Sequence, residues 1–263
     1  MSKFILKRLG LAILSLFIIT TLSFFIISMK PGDPIIAKIQ KLPESAKINI
    51  ERKYGLDKPM HIRYLTYMKN LLTKFELGPS IVYDGRNVNG LLKTAAIVSA
   101  KIGGLAIIIQ VVFGVIFGML SGLARGKMLD RLITVITVLS ICVPGFVFCS
   151  LLQYFIAFKF KLAPLYGWGK WQHFILPLAA YSIPGIAGYA KYMRNSTIQV
   201  LSEDYIETAR AKGVGRTRLI FKHVFRNAVL PIATMVPVAI GGIFGGAMVI
   251  EKFFSIPGFG QHY

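Results

Sequence analysis

A chain of 263 residues in which 54% are hydrophobic and only 16% are charged, with a mean hydropathy of +0.61, is too apolar to face water on all sides. We predict an all-α integral membrane protein, because an open sheet leaves backbone groups unsatisfied in lipid. The formal charge of +20 would suggest nucleic acid in a soluble chain. Here cytoplasmic loops and anionic lipid explain it, so we expect no nucleic acid partner.

The first apolar run covers residues 9–29 and follows a basic N-terminus. The run is too long for a signal peptide and has no small-residue cleavage site. We therefore interpret residues 1–30 as an uncleaved transmembrane helix whose N-terminus lies in the cytoplasm.

A mixed polar stretch, residues 31–93, comes next, and we predict that it forms a small external subdomain. Apolar residues at helical spacing indicate two short amphipathic helices within it, at 48–54 and 60–75. Residues 94–263 then make up a transmembrane core.

The core contains four further apolar runs, at residues 95–123, 132–158, 174–193 and 229–250. With the first run they predict five transmembrane helices. The chain beyond the last run, from Glu251, is then expected to be external and rich in turns. The short turn after the second run is placed in the cytoplasm by its basic residues: Arg125, Lys127 and Arg131.

Two glycine-rich stretches predict flat helix faces on which another helix can pack closely. The first lies in the second run: Gly114, Gly118 and Gly122. The other lies in the fifth run: Gly241, Gly242, Gly245 and Gly246.

Helix-breaking residues interrupt the third and fourth runs near mid-membrane depth. Breakers are tolerated there where the backbone lines a cavity or is buried in protein, so a lined path and a structural kink both stay open. Under the first interpretation the residues that line the translocation path are Pro144, Phe146, Pro184, Gly185 and Gly245.

Side chains suited to catalysis or metal binding are scattered. The four histidines, at positions 61, 173, 223 and 262, lack the spacing of a metal site. The interiors of the predicted spans hold no Asp or Glu for a proton relay or an intramembrane protease. We therefore expect no catalytic residue, no metal and no cofactor on this chain.

A polar segment, residues 202–231, separates the fourth and fifth apolar runs. Asp204 and Glu207 have a capping-box-like spacing. Gly213 provides a left-handed stop, with basic residues in the last turn where cations suit the helix dipole. These signals predict a helix of about two turns.

The predicted short helix carries the small residues Thr208, Ala209 and Ala211, which permit close approach by another molecule. We expect Leu201, Tyr205 and Ala209 to share one face. A helix this short is marginal alone, so membrane helices or a partner must fix its ends. It suits docking into a groove on a soluble protein, and a solvated basic loop is the alternative.

Glu207, Thr208, Ala209 and Gly213 resemble the EAA-loop pattern in the membrane subunits of bacterial ATP-binding-cassette importers of the oligopeptide, dipeptide and nickel group. Thr208 replaces the second Ala of that pattern, a departure that this subfamily shares. The resemblance spans nearly the whole chain. Further matching motifs are PGDP at 31–34, GLD-x-P at 55–59, LG-x-S at 77–80 and GG-x-x-V-x-E…F-x-x-PG-x-G at 245–260.

The resemblance implies a type I importer permease fold with a cytoplasmic coupling loop at residues 194–228. It implies that ATPase coupling belongs to the short helix and its end: Asp204, Tyr205, Glu207, Thr208, Ala209, Arg210, Ala211, Lys212 and Gly213. It implies a coupling arm that includes His223, Arg226, Asn227 and Pro231.

The resemblance also implies the partners. They are a second permease subunit, two ATPase subunits that bind ATP and magnesium, and an external substrate-binding protein that delivers a peptide. The expected location is the bacterial plasma membrane. Nickel or another small solute is the alternative cargo, and a non-transport scaffold is the alternative function. Family members continue through a sixth helix, so we expect this sequence to belong to a longer product.

Overall fold

The computed structural model describes residues 2–29, 43–54, 58–80, 82–83, 86–244 and 248–262. Its contacts divide the chain into two units, Met1–Lys93 and Thr94–Tyr263. Four features named above lie outside the described residues: the PGDP motif at 31–34, residues 55–57, Gly245 and Gly246.

The first unit contains helices α1 (Ser2–Ser28), α2 (Glu44–Tyr54) and α3 (Met60–Lys74). The two short helices predicted from apolar spacing are therefore present. No residue in the membrane-spanning window of α1 is buried, as expected for a helix surrounded by lipid. Near the end of α1, Thr21 Oγ1 lies 2.8 Å from the hydroxyl of Tyr64 in α3.

The second unit is built on α4, which begins in the first unit, and on the helices that follow it. In chain order these are α4 (Val88–Leu123), α5 (Met128–Cys142), α6 (Gly145–Lys159), α7 (Ile175–Leu201), α8 (Asp204–Ala211), α9 (Arg216–Ala228), α10 (Leu230–Phe244) and α11 (Met248–Phe253). The stretches Gln153–Lys159 and Leu219–Phe225 are π-helical.

Two helices are long and apolar enough to cross a membrane, Lys3–Ser28 within α1 and Val88–Leu123. Two bent pairs also pass if each counts as one span: α5 with α6, bent by 103°, and α9 with α10, bent by 44°. The described residues thus give two to four spans by length and composition, and the number five stays a prediction. The predicted interruption at Pro144 is confirmed, since Pro144 precedes α6 at the sharper bend.

The first glycine-rich face packs closely, as predicted. A Cβ atom added at Gly118 would come within 2.4 Å of the Ala190 carbonyl oxygen, and one at Gly122 within 2.7 Å of the Thr197 Cβ atom. Only glycine therefore lets α4 approach α7 this closely. At Gly241 and Gly242 in α10 an added Cβ would meet no atom within 4 Å, so the described part of this chain does not cover that second face.

The breaker in the fourth apolar run lies within one long helix, because α7 continues through Pro184 to Leu201. One turn earlier, the Tyr181 carbonyl accepts a 2.9 Å hydrogen bond from Gln110 Nε2 of α4. A Cβ atom at Gly185 would collide with the same Gln110 side chain. These contacts pack the part of α7 around Pro184 against α4.

The second unit has two apolar cores. One surrounds α8 and includes Met119, Met193, Ile206, Val224 and Ile232. The other surrounds the start of α7 and the end of the chain and includes Ile102, Cys149, Leu176, Phe254 and Ile256.

The chain from Glu251 onward is predicted to be rich in turns, but Glu251 itself is helical and buried; that this part of the chain is external stays a prediction. This residue lies in α11 and is 2% exposed. Its carboxylate accepts a 2.6 Å hydrogen bond from Ser99 Oγ and another from the Gly260 backbone N–H. A buried carboxylate is tolerated when such donors satisfy it.

Candidate functional site

The short helix predicted in the polar segment is present as α8, but the predicted capping box is wrong. Glu203 occupies the N-cap position, and no side chain caps the helix. Asp204 and Glu207 therefore lie inside the first turn, where their negative charges favour the helix N-terminus without a capping hydrogen bond.

The helix end agrees with the prediction. Gly213 has φ of 73°, in the left-handed region that glycine adopts without steric cost. Its N–H donates to the Arg210 carbonyl at 2.9 Å, and the Val214 N–H donates to the Ala209 carbonyl at 3.1 Å. The stop predicted at Gly213 is confirmed.

Two residues that were expected to share one face of α8, Tyr205 and Ala209, differ in burial. Ile206 is 0% exposed and Ala209 is 7% exposed, whereas Tyr205 is 41% exposed. Ile206 and Ala209 pack in the core with Leu219 and Val224 of α9. The signal for this face was an apolar residue three positions before an alanine within a polar helix.

The opposite face of α8 is exposed and combines small with acidic side chains. By helical spacing it consists of Asp204, Glu207, Thr208 and Ala211, all exposed. Arg210, Lys212 and Gly213 are also exposed. We call the four-residue set the outer face of α8.

The predicted coupling arm is helical and continuous with this site. In α9, the Asn227 Nδ2 atom donates to the His223 carbonyl at 2.9 Å, and Arg226 is exposed. Pro231 lies in the first turn of α10, where a missing N–H costs nothing. The arm therefore joins α8 to α10 through a packed helix.

Beside this site lies an ion pair that no local pattern in the sequence indicates. Asp130, at the start of α5, is 4% exposed. Arg194 of α7 donates to it from Nε at 2.7 Å and from Nη2 at 2.9 Å. The Ser121 hydroxyl of α4 donates at 2.6 Å, and the Gly126 N–H at 2.9 Å. The only sequence signal was a lone aspartate in a basic turn.

The candidate path residues are not gathered into one cavity. Pro144 and Phe146 are exposed at the bend before α6, Pro184 and Gly185 are half-buried, and Gly245 lies outside the described residues. A cavity of about 250 Å³ lies between α5 and α7. Its polar lining includes Thr134, Thr137, Lys191, Arg194 and Asn195.

The two carboxylates that are buried in the described part of the chain make contacts within the protein. Asp130 and Glu251 accept hydrogen bonds from the groups named above, so both position helices. Within the described ranges, no group of three or more His, Cys, Asp or Glu residues could hold a metal ion.

Comparison with known proteins identifies the family. Residues 114–262 match the family described as "Binding-protein-dependent transport system inner membrane component", and residues 1–80 match a second family described as "Binding-prot-dependent transport system membrane comp, N-term". The oligopeptide transport system permease protein OppB of Haemophilus influenzae is 40% identical over 262 residues, 99% of this chain and 85% of the relative. The dipeptide transport system permease protein DppB of Lactococcus lactis is 36% identical over 263 residues, 100% of this chain and 86% of the relative. The chain therefore belongs to the inner membrane components of binding-protein-dependent transport systems and is a multi-pass permease subunit.

Proposed function

We propose that this chain is one of two membrane subunits of an ATP-driven peptide importer and forms half of its translocation path. Its partners are a second permease subunit, two ATPase subunits carrying ATP and magnesium, and an external substrate-binding protein. Family membership supports this, as do relatives named for oligopeptide and dipeptide transport. The division into residues 1–30, 31–93 and 94–263 belongs to the same proposal.

The observation that carries the coupling role is the outer face of α8. Its small residues, Thr208 and Ala211, let a groove on an ATPase subunit approach the helix closely. Tyr205, Arg210 and Lys212 flank this contact. Ala209 acts differently, since it packs in the protein core and holds α8 on α9.

Motion of α8 reaches the membrane helices through its buried face. Ile206 shares one core with residues of α4, α7, α9 and α10. When the ATPase pair closes, α8 is displaced and the attached helices rock between inward-open and outward-open states. Such coupling requires the partner to bind the two states with different free energies.

The basic turn between α4 and α5 supports the proposed orientation. Arg125, Lys127 and Arg131 are exposed there. Leu123, just before the turn, packs against the core that contains Ile206. A short basic loop beside α8 favours the cytoplasm for this end, and with it a cytoplasmic N-terminus. The path through Pro144, Phe146, Pro184, Gly185 and Gly245 stays part of the proposal.

The first test places a large side chain on the outer face of α8. We expect Ala211→Trp to abolish peptide uptake and substrate-stimulated ATP hydrolysis, because the ring separates the helix from its groove. The variant should insert and fold normally, since residue 211 is exposed. The measurements are copurification of the ATPase subunits and uptake of a labelled peptide into liposomes.

The matched control is Tyr192→Trp, which places the same ring on an exposed position of α7 away from α8. This control should retain uptake. Normal uptake by Ala211→Trp would contradict the docking role. Absence of ATP-dependent peptide uptake by the unaltered complex would contradict the importer function.

A further inference from the structure

The ion pair beside α8 joins three helices at one carboxylate. Asp130 of α5 accepts two hydrogen bonds from Arg194 of α7, one from Ser121 of α4 and one from the Gly126 N–H in the intervening turn. The Asp130 side chain is 6% exposed and that of Arg194 is 28% exposed. Helices α4, α5 and α7 therefore meet at a single charged contact.

This contact lies close to the point where α8 joins the membrane helices. Arg194 is about 10 Å from Leu201, the last residue of α7, by the rise of an α-helix. Only Ser202 and Glu203 separate α7 from α8. Because α7 is continuous between Arg194 and Leu201, a force applied to α8 acts on the helix that carries the guanidinium.

A guanidinium–carboxylate pair constrains the geometry between two side chains more strictly than an apolar contact does. Two parallel N–H···O bonds set both the distance and the relative orientation of the two side chains. Apolar side chains of similar size often give equal or greater stability but define geometry less strictly. The property that the pair supplies is therefore a fixed relation between α5 and α7.

We propose that Asp130 and Arg194 are a positioning pair that makes α4, α5 and α7 move as one body when the ATPase displaces α8. This inference rests on the proposed function. If the pair is released, α8 and α7 still respond to the ATPase, but α4 and α5 lag behind. ATP hydrolysis then continues while less peptide is moved for each ATP.

The test uses the full importer in liposomes, with its second permease, ATPase subunits, binding protein and a labelled peptide that this binding protein holds. Asp130→Asn removes the charge but keeps an oxygen that accepts from Ser121 or Gly126. Arg194→Lys keeps the charge but loses the two-pronged geometry. For both we expect peptide imported per ATP hydrolysed to fall about fivefold or more, with assembly and ATPase rate retained.

The matched control is Lys101→Met, which removes a positive charge from an exposed position of α4, 20 residues before Ser121. It should leave the ratio of transport to hydrolysis unchanged. This ratio is informative because a purely structural defect lowers transport and hydrolysis together.

A second measurement follows the motion itself. Spin labels at the exposed positions Val135 of α5 and Tyr192 of α7, in a complex whose native cysteines are replaced by serine, report the distance between these helices. We expect one narrow distance distribution in every nucleotide state, and a distribution that broadens with nucleotide in Asp130→Asn. Broadening in this variant requires that the helices are normally held together.

Each outcome decides the proposal. A lower transport ratio with retained assembly supports it. Loss of assembly in both Asp130→Asn and Arg194→Lys, or an unchanged ratio in both, overturns it. If the unaltered complex fails to import peptide, the proposed function fails; if it imports and the variants couple normally, the positioning role alone fails.

Discussion

The two ends of the second unit each bury one carboxylate against a serine of α4, but they satisfy it differently. Ser121 and Ser99 lie about 33 Å apart along α4 by the helical rise, close to the thickness of a bilayer core. At the Ser121 end, Asp130 is neutralised by the Arg194 guanidinium. At the Ser99 end, Glu251 is held by uncharged donors, a hydroxyl and a backbone N–H.

This difference shows which interactions stabilise each end of the second unit. At the Ser121 end a charge pair between residues 64 positions apart fixes the relative position of two helices. At the other end the chain folds back on itself. The Phe259 N–H donates to Ser99 Oγ and the Gly260 N–H to Glu251, so local backbone closes the site. We therefore expect the stability of the Asp130 site to depend on charge. We expect the stability of the Glu251 site to depend on the volume left for added side-chain atoms.

The largest expected effect comes from removing each carboxylate. Asp130→Ala leaves the partly buried guanidinium of Arg194 unpaired and should cost about 3 kcal/mol of unfolding free energy, at the lower end for buried pairs because Arg194 is partly exposed. Glu251→Ala leaves only neutral donors unsatisfied and should cost about 2 kcal/mol. Equilibrium unfolding in mixed detergent micelles measures both. If Glu251→Ala lowers the free energy of unfolding as much as Asp130→Ala or more, the proposed difference between a charge-paired and a neutrally bonded carboxylate is contradicted.

A smaller effect is expected at the glycine beside each carboxylate. A Cβ atom at Gly258 would come within 2.5 Å of the Glu251 carboxyl carbon, so Gly258→Ala should cost about 1–3 kcal/mol through overpacking. At Gly126 an added Cβ meets nothing within 4 Å, but φ is 78°. Gly126→Ala should therefore cost only about 1 kcal/mol of backbone strain.

The same unfolding measurement checks this order. Gly145→Ala is a control, because an added Cβ there meets no atom within 4 Å and no positive φ is required. If Gly126→Ala lowers the free energy of unfolding more than Gly258→Ala does, close packing does not determine the stability of the Glu251 site.

Much of the fold was predictable because lipid imposes local patterns. The apolar runs locate α1 and α4, the spacing of Gly114, Gly118 and Gly122 locates the face that packs on α7, and Gly213 ends α8 as predicted. Each of these signals is contained within one helix or turn. Such features follow from residues close together in the chain.

The remaining features depend on packing between distant segments. Asp130 and Arg194 are separated by 64 positions, and Ser99 and Glu251 by 152, so no spacing rule connects either pair. The inward turn of Ala209 was missed because small size alone does not distinguish a residue that packs in the core from one that docks a partner. Local composition cannot show which neighbour an exposed-looking polar residue will meet.

The two serines compare the ends by one identical change on one helix. Ser121→Ala removes a single hydrogen bond from a carboxylate that keeps Arg194 and Gly126, and should cost about 1 kcal/mol. Ser99 both donates to Glu251 and accepts from the Phe259 N–H, so Ser99→Ala removes two bonds and should cost about 2 kcal/mol. The double variant should lose the sum of both values, because the sites are too far apart to interact. A loss that departs from this sum by more than about 0.5 kcal/mol would mean that α4 transmits strain between its ends.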